Sequence, residues 1–242
     1  MKSWTRIGKI KNHLLDMFYP KCCPVCHKIL HQQTWLVCPQ CLTSVPLIQG
    51  HRCMKCGKNV KEEEEYCREC RETERHFTQG RGIYFYDEIM KSSILRYKYG
   101  GSRNYGDFYA AALCHYAEQE IRRWKPDLIV PVPLHRKNYK ERGFNQAEYL
   151  AEKISIFYDI PMSSSLVKKV KKTKSQKHLD AKSRRENLKG VFRVSERVDG
   201  YRILLIDDVY TTGSTMDEIA ACLKEKGAEN VYFLTVCSGF NW

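Results

Sequence analysis

The fold is decided by residues 201–215, which read YRILLIDDVYTTGST. A continuous apolar run, Ile203 to Ile206, leads into two adjacent carboxylates, and a loop rich in hydroxyl groups then surrounds Gly213 before a helical pattern begins. In open α/β sheets, ligands bind at the carboxyl ends of strands. The N–H groups of such a loop and of the first helical turn suit a phosphate. The stretch therefore predicts a phosphate site, and the alternative is a solvated strand end.

The two carboxylates, Asp207 and Asp208, need partners of their own beside a phosphate. Carboxylate oxygens accept hydrogen bonds from hydroxyl groups and are hard ligands for Mg²⁺. Ribose hydroxyls or a Mg²⁺ ion are therefore the expected occupants of this acidic pair.

Outward from this stretch, apolar strands alternate with amphipathic helices. The patterns predict strands at 81–86, 127–133, 201–207 and 230–237, and helices at 87–98, 107–124, 144–158 and 214–226. This alternation is typical of βαβ units. The predicted fold class is α/β, with a mainly parallel sheet flanked by helices.

Composition excludes several classes of protein. The chain has 242 residues, 43% of them hydrophobic and 12% aromatic, which is too apolar for a disordered chain. No window approaches the ~18 to 20 uninterrupted apolar residues of a membrane span. Residues 1–20 are basic and amphipathic, without the apolar core of a secretory signal, so a cytoplasmic location is expected. Residues 4–19 are expected to pack on the neighbouring module, or to dock on a partner or the inner face of the membrane.

Nine of the 12 cysteines lie within residues 1–80. Eight of them form four C-x-x-C pairs: Cys23 and Cys26, Cys38 and Cys41, Cys53 and Cys56, Cys67 and Cys70. Two such pairs supply the four thiolates of a tetrahedral Zn²⁺ site, so two zinc ions are expected. The rival is a disulfide framework, which needs an oxidising compartment. Sequential pairing costs less chain entropy than cross-braced pairing, and both stay open at this point.

The predicted organisation has three parts. A basic amphipathic segment spans residues 1–20, a small cysteine-rich zinc module spans 21–80, and the α/β domain spans 81–242.

Two resemblances follow from these motifs. Residues 203–215 resemble the phosphoribosyl pyrophosphate signature of type I phosphoribosyltransferases. The four knuckles, PVPL at 131–134, RGFNQ at 142–146, a Gln in a basic stretch followed by R-x-x-N, and the acidic-pair loop occur in an order similar to that of the ComF family of competence proteins. The second resemblance covers nearly the whole chain.

The resemblance implies a type I phosphoribosyltransferase-like fold and assigns roles to residues. Asp207 and Asp208 would be the catalytic pair on the ribose hydroxyls, with Mg²⁺ accompanying the ligand. The further residues expected to bind phosphoribosyl pyrophosphate are Val132, Pro133, Leu134, Arg142, Val209, Thr211, Thr212, Gly213, Ser214 and Thr215. Asn145 is expected to fix its loop. Lys98 is expected to be either a surface residue or a phosphate contact.

Charge is concentrated in one segment. The chain has 41 Lys and Arg against 28 Asp and Glu, a formal net charge of +13, and residues 168–190 contribute 10 basic and 2 acidic side chains. The first part of this segment lacks an apolar stripe, so a mobile loop is expected there. It would either close over the pyrophosphate or hold a DNA backbone. The candidate DNA-binding residues are Lys168, Lys169, Lys171, Lys172 and Lys174.

The resemblance to the ComF family, supported by the charge distribution, implies the function of a cytoplasmic competence protein. It would assist transforming single-stranded DNA in natural transformation, with phosphoribosyl pyrophosphate, single-stranded DNA and other competence proteins as partners. The alternatives are an active phosphoribosyltransferase that joins a nitrogen nucleophile such as a nucleobase to the ribose, and a sensor of phosphoribosyl pyrophosphate without turnover. The donor half of such a site is legible in the sequence, and the acceptor half is not.

Overall fold

A computed structural model of the chain describes residues 20–32, 35–171 and 190–239. Its elements, in chain order, are α1 (Pro39–Leu42), α2 (Arg68–Glu72), β1 (Gln79–Phe85), α3 (Glu88–Tyr99), α4 (Tyr105–Tyr116), α5 (Glu118–Trp124), β2 (Leu128–Pro131), α6 (Arg136–Arg142), α7 (Gln146–Tyr158), β3 (Val167–Lys169), β4 (Phe192–Val194), β5 (Arg202–Tyr210), α8 (Ser214–Glu225) and β6 (Asn230–Ser238). Within these ranges, no helix has both the length and the apolar character needed to cross a membrane.

Four parallel strands form the central sheet in the order β1-β6-β5-β2. Residues of β5 alternate between two cores: Ile203 and Leu205 pack with α8, whereas Leu204 and Ile206 pack with α3, α4, α5 and α7. We call these the α8 core and the α4 core. Both faces of the sheet are covered, which explains the continuous apolar run of β5. The predicted α/β class, with a mainly parallel sheet flanked by helices, is confirmed.

A two-stranded antiparallel hairpin, β3 with β4, adds to the α8 core. The residues that the hairpin buries there are Val167, Phe192 and Val194. Strand β3 includes Lys168 and Lys169. The expectation of a mobile loop beginning at residue 168 is therefore wrong for these two residues. The strands hold three residues each, too few for a clear period among the lysines. Lys172 and Lys174 lie outside the described residues.

Three helix boundaries differ from the predicted ones. The helix expected at 107–124 is two helices, because the backbone departs from helical angles at Ala117 (φ −110°, ψ 14°). The helix expected at 144–158 begins at Gln146, since the Asn145 side chain caps it by accepting from the N–H of Ala147. Arg142 ends α6, a short helix that the sequence did not reveal, and Gly143 follows with φ 76°.

The cysteine-rich module consists of two ribbons, the first containing Cys23 to Cys41 and the second containing Cys53 to Cys70. They pack against different parts of the α/β domain. The first contacts α3 and α4: Arg96 donates to the carbonyl of Val25 (2.8 Å), and His27 Nδ1 lies 2.5 Å from the hydroxyl of Tyr105. The second enters the α8 core, where Cys53, Cys56 and Cys67 are buried with the residues of α8. The boundary predicted between residues 80 and 81 stays a prediction, and the cores on its two sides are continuous.

Candidate functional site

An open cleft of about 940 Å³ lies at the carboxyl ends of β2 and β5. The structure brings all the residues predicted for the phosphoribosyl ligand to this one cleft. They are Val132, Pro133, Leu134, Arg142, Asp207, Asp208, Val209, Thr211, Thr212, Gly213, Ser214 and Thr215. Residues 132–134 and 211–215 meet there because their strands, β2 and β5, are parallel neighbours.

The acidic pair is split between the two sides of the sheet. Side chains alternate along a strand, so Asp208 continues the side of Leu204 and Ile206, which faces α3. There the Nζ of Lys98 lies 2.7 Å from Asp208 Oδ2, and both side chains are largely buried. Burial alone would lower the pKa of Lys98, but Asp208 outweighs it and the pKa is raised. The expectation of a surface position for Lys98 is therefore wrong.

Asp207 has the more unusual environment of the two. Burial and the charge of Asp208 raise its pKa to about 7, and Lys98 offsets them only in part. Its carboxylate accepts from the backbone N–H of Asp208 (2.8 Å). This carboxyl group changes protonation state near neutral pH, so its ability to accept hydrogen bonds depends on pH.

The loop at 211–215, which we call the phosphate loop, leads into a helix without a side-chain cap. Gly213 has φ 75°, and a side chain at this position would collide with the hydroxyl of Tyr210, so only glycine fits. Helix α8 starts at Ser214, and no described side chain caps it. The first N–H groups of a helix have no intrahelical acceptor and favour an anion. The hydroxyls of Thr212 and Ser214 lie 2.9 Å apart at the same place.

Hydrogen bonds to other parts of the chain fix the loop after β2. The N–H of Val132 donates to Ile206 (2.9 Å), and its carbonyl accepts from Nδ2 of Asn145 (3.1 Å). The prediction that Asn145 fixes its loop is confirmed. Val132 has no backbone group left for a ligand, and Pro133 has no N–H, so donors for an anion begin at Leu134.

Arg142 is held in place by two neutral groups. Its Nη1 donates to Oε1 of Gln146 and its Nη2 donates to the hydroxyl of Tyr99, each at 3.0 Å. The guanidinium also lies over the Tyr99 ring, 4.9 Å from its centroid. Since neither partner is charged, the positive charge stays available to an anionic ligand in the cleft.

Several cleft residues were missed by sequence reasoning. Tyr86, Leu95 and Tyr99 form an apolar and aromatic wall, and Lys169 reaches the cleft from the hairpin. Burial lowers the pKa of Lys169, although Asp207 acts in the opposite direction. No local sequence signal was available for Lys169, because a strand of three residues is too short to show which lysine faces the cleft.

The eight paired cysteines form two groups of four. Cys23, Cys26, Cys38 and Cys41 form one, and Cys53, Cys56, Cys67 and Cys70 form the other. Sγ atoms of successive knuckles lie 3.7 Å apart in the first group and 3.6 Å apart in the second. A tetrahedron with a Zn–S length of about 2.3 Å has edges of about 3.8 Å. The groups therefore fit zinc, their pairing is sequential, and all 12 cysteines are free of disulfides.

Comparisons with known proteins agree with this arrangement. Residues 14–71 match the double zinc ribbon domain, and residues 105–239 match the phosphoribosyl transferase domain. The two cysteine groups are thus the zinc sites of a double zinc ribbon.

Three curated relatives align with most of the chain. Competence protein F of Haemophilus influenzae is 34% identical over 74% of this chain and 81% of its own length. The DNA utilization protein YhgH of Salmonella typhi is 31% identical over 89% of both chains. Competence protein ComFC of Bacillus subtilis is 31% identical over 79% of both chains. The chain belongs to the ComF family, and it joins a double zinc ribbon to a phosphoribosyl transferase domain.

Proposed function

We propose that the cleft binds phosphoribosyl pyrophosphate together with Mg²⁺, and that the protein uses this pocket while handling transforming single-stranded DNA. One observation carries the ligand assignment: an acidic pair shares a single cleft with the phosphate loop and with the loop after β2. A ribose with a phosphate at one end and a pyrophosphate at the other presents an anionic group to each loop and its hydroxyl groups to the acidic pair.

Each part of the ligand has a matching part of the cleft. The phosphate loop takes the 5′-phosphate through the open N–H groups at the start of α8. Asp207 and Asp208 accept from the ribose hydroxyls. The backbone from Leu134 onward and Arg142 take the pyrophosphate. Mg²⁺, when bound, neutralises charge on the pyrophosphate, and a carboxylate-lined cleft suits such a hard cation.

The DNA part of the proposal is supported by the relatives and by the hairpin. Two of the relatives are competence proteins, and a third is a DNA utilization protein. Lys168 is exposed on β3, and Lys171 is exposed just after it. Both belong to the lysine-rich segment, residues 168–190. Exposed lysines bind a DNA backbone without sequence preference and in a salt-dependent way.

Catalysis is the second candidate function, and the wall formed by Tyr86, Leu95 and Tyr99 favours it. This wall borders the same cleft as the acidic pair, and 53% of Tyr99 is exposed. Apolar and aromatic surface beside the ribose is suited to a planar nitrogen nucleophile, the class of acceptor that a phosphoribosyltransferase requires. A sensor without turnover would have no need of it.

Calorimetry with phosphoribosyl pyrophosphate and Mg²⁺ tests the ligand assignment. Asp208→Asn should weaken binding about tenfold or more, because a hydrogen bond to a charged group contributes about 1.5–3 kcal/mol. Asp127→Asn is the matched control, since Asp127 also pairs with a cation, Arg202 at 2.7 Å, but lies outside the cleft. Equal affinity of Asp208→Asn and wild type would refute the assignment.

The same proteins distinguish catalysis from a role in DNA handling. Pyrophosphate release with a panel of nucleobases would establish a transferase. For the DNA role, wild type but not Asp208→Asn should restore transformation to a Haemophilus influenzae strain that lacks competence protein F. Restoration by both forms would show that the pocket is not needed for DNA handling.

A further inference from the structure

Arg75 lies in the segment that joins the second zinc ribbon to β1, outside both family matches. Its side chain is buried behind the phosphate loop, with only 8% of the residue exposed. Its Nη2 donates to the carbonyl of Thr212, 3.0 Å away. The next residue, His76, donates its backbone N–H to Asp217 in the first turn of α8 (2.7 Å). The segment is thus fastened both to the loop and to the helix that follows it.

The contact with Thr212 orients a peptide bond of the loop. The described chain contains no cis peptide bond. In a trans peptide, the C=O and N–H groups point in opposite directions. With the Thr212 carbonyl held by Arg75, the N–H of Gly213 points away from Arg75. Thr212 and Gly213 line the cleft and Arg75 does not, so this N–H is directed to the cleft side of the loop.

Arg75 forms no close ion pair among the described residues. Burial alone would lower its pKa, but more distant acidic groups such as Tyr210 and Asp217 outweigh burial and the pKa is raised. Its Nε and Nη1 have no hydrogen-bond partner among the described residues. Lys58, the other buried cation behind the loop, is neutralised by Glu69 at 2.7 Å. A buried charge is costly without an anionic or hydrogen-bonding partner, and its field is weakly screened. A phosphate seated in the loop would add a further negative charge near Arg75.

We propose that Arg75 is the positioning residue of the phosphate loop, and that it selects the doubly charged phosphate of a sugar phosphate. It does so by fixing the orientation of the Thr212–Gly213 peptide and by placing a positive charge behind the loop. This inference rests on the proposed function, which assigns the loop to the 5′-phosphate. It also gives the second zinc ribbon a role in ligand binding, because that ribbon leads directly into Arg75.

Two ligands probe the two ends of the cleft separately. Calorimetry should measure ribose 5-phosphate, which uses the phosphate loop, and pyrophosphate, which uses the loop after β2. Arg75→Met should weaken ribose 5-phosphate binding about tenfold, the equivalent of losing one hydrogen bond to a charged group, and leave pyrophosphate affinity within about twofold. Arg75→Lys, which keeps the charge, should recover part of the loss. Zinc content should stay at two ions per chain in both variants.

The control is Arg71→Met, since Arg71 lies on α2 of the same ribbon, is exposed, and pairs with Glu64 at 3.1 Å. It should bind both ligands as wild type does. Equal weakening of both ligands by Arg75→Met would show general damage and refute the inference, as would no weakening at all. If wild type binds neither ligand, the proposed function fails and this inference fails with it. Wild-type binding with an unaffected Arg75→Met protein refutes the inference alone.

Discussion

Adjacent residues in the acidic pair have different chemistry because a strand alternates its side chains. Asp208 faces α3 and is paired with Lys98, whereas Asp207 lies on the opposite side and has a raised pKa. Lys98 forms an ion pair with Asp208. The carboxyl group of Asp207 is fully charged only at a pH above its pKa of about 7. Asp208 is therefore held by an ion pair, whereas Asp207 titrates near neutral pH.

Ligand binding should depend on pH through Asp207. Its pKa of about 7 means that the carboxylate is a minor form at pH 6 and the major form at pH 8. Affinity for phosphoribosyl pyrophosphate with Mg²⁺ should therefore rise about tenfold over this range. Because the phosphates of the ligand titrate in the same region, Asp207→Asn is the control. A similar pH dependence in wild type and in this variant would contradict the prediction.

The same shift makes a prediction about the ligand-free protein. A carboxyl group with a folded pKa above its usual value of 3.8 binds more protons in the folded state than in the unfolded state. Its contribution to stability is complete below about pH 4 and is lost as the pH rises through about 7. As the pH is raised from about 4 to above 7, the melting temperature of wild type should fall more than that of Asp207→Asn. An equal fall in both proteins would contradict the assigned pKa.

At the scale of elements, the β3–β4 hairpin places the described lysines of the lysine-rich segment in two environments. Lys169 faces the cleft, and Lys168 and Lys171 are exposed. Under the proposed function, the lid and the DNA arm, which the sequence presents as alternatives, are compatible within one hairpin.

The hairpin predicts a separation of phenotypes between neighbouring lysines. Lys169→Gln should weaken binding of phosphoribosyl pyrophosphate and leave single-stranded DNA affinity unchanged. The double variant Lys168→Gln, Lys171→Gln should lower DNA affinity and reduce the salt slope by about 1.4, or about 0.7 for each DNA phosphate that is no longer neutralised. Calorimetry and fluorescence anisotropy over a salt series measure the two effects. Loss of both activities in both variants would contradict the division.

Local signals explain what the sequence predicts well. The continuous apolar run of β5, the glycine at 213 and the C-x-x-C spacing each lie within a few residues, so the sheet, the phosphate loop and the zinc ligands are visible directly. Short elements such as α6 and β3 have no such period. The hydrogen bond between Arg75 and Thr212 joins residues 137 positions apart, and only the folded chain shows it. The apolar and aromatic side chains of Tyr86, Leu95 and Tyr99 are hidden for the same reason, because they come from a residue beside β1 and from α3.

At the scale of the whole molecule, the two ribbons support opposite sides of the cleft. The first packs on α3, which carries Lys98 to Asp208. The second leads into Arg75, which holds the phosphate loop. The zinc module therefore contacts both the helix that carries Lys98 and the phosphate loop. Under the proposed function, these contacts support both the ribose end and the phosphate end of the ligand.

Zinc removal should proceed in two steps with different consequences. The first site has an exposed ligand, Cys26, whereas three of the four thiols in the second site are buried in or beside the α8 core. A chelator should therefore empty the first site sooner, and Cys26→Ser should abolish the fast phase of zinc release. Because the second site shares its core with β5 and α8, only the slow phase should be accompanied by a fall in melting temperature of the α/β domain and by faster hydrogen exchange in residues 211–215. Cys70→Ser, which alters the half-exposed ligand of the second site, should produce both changes without chelator. Release of both ions in one phase, or a loosened phosphate loop after loss of the first ion alone, would show that the ribbons are not independent supports.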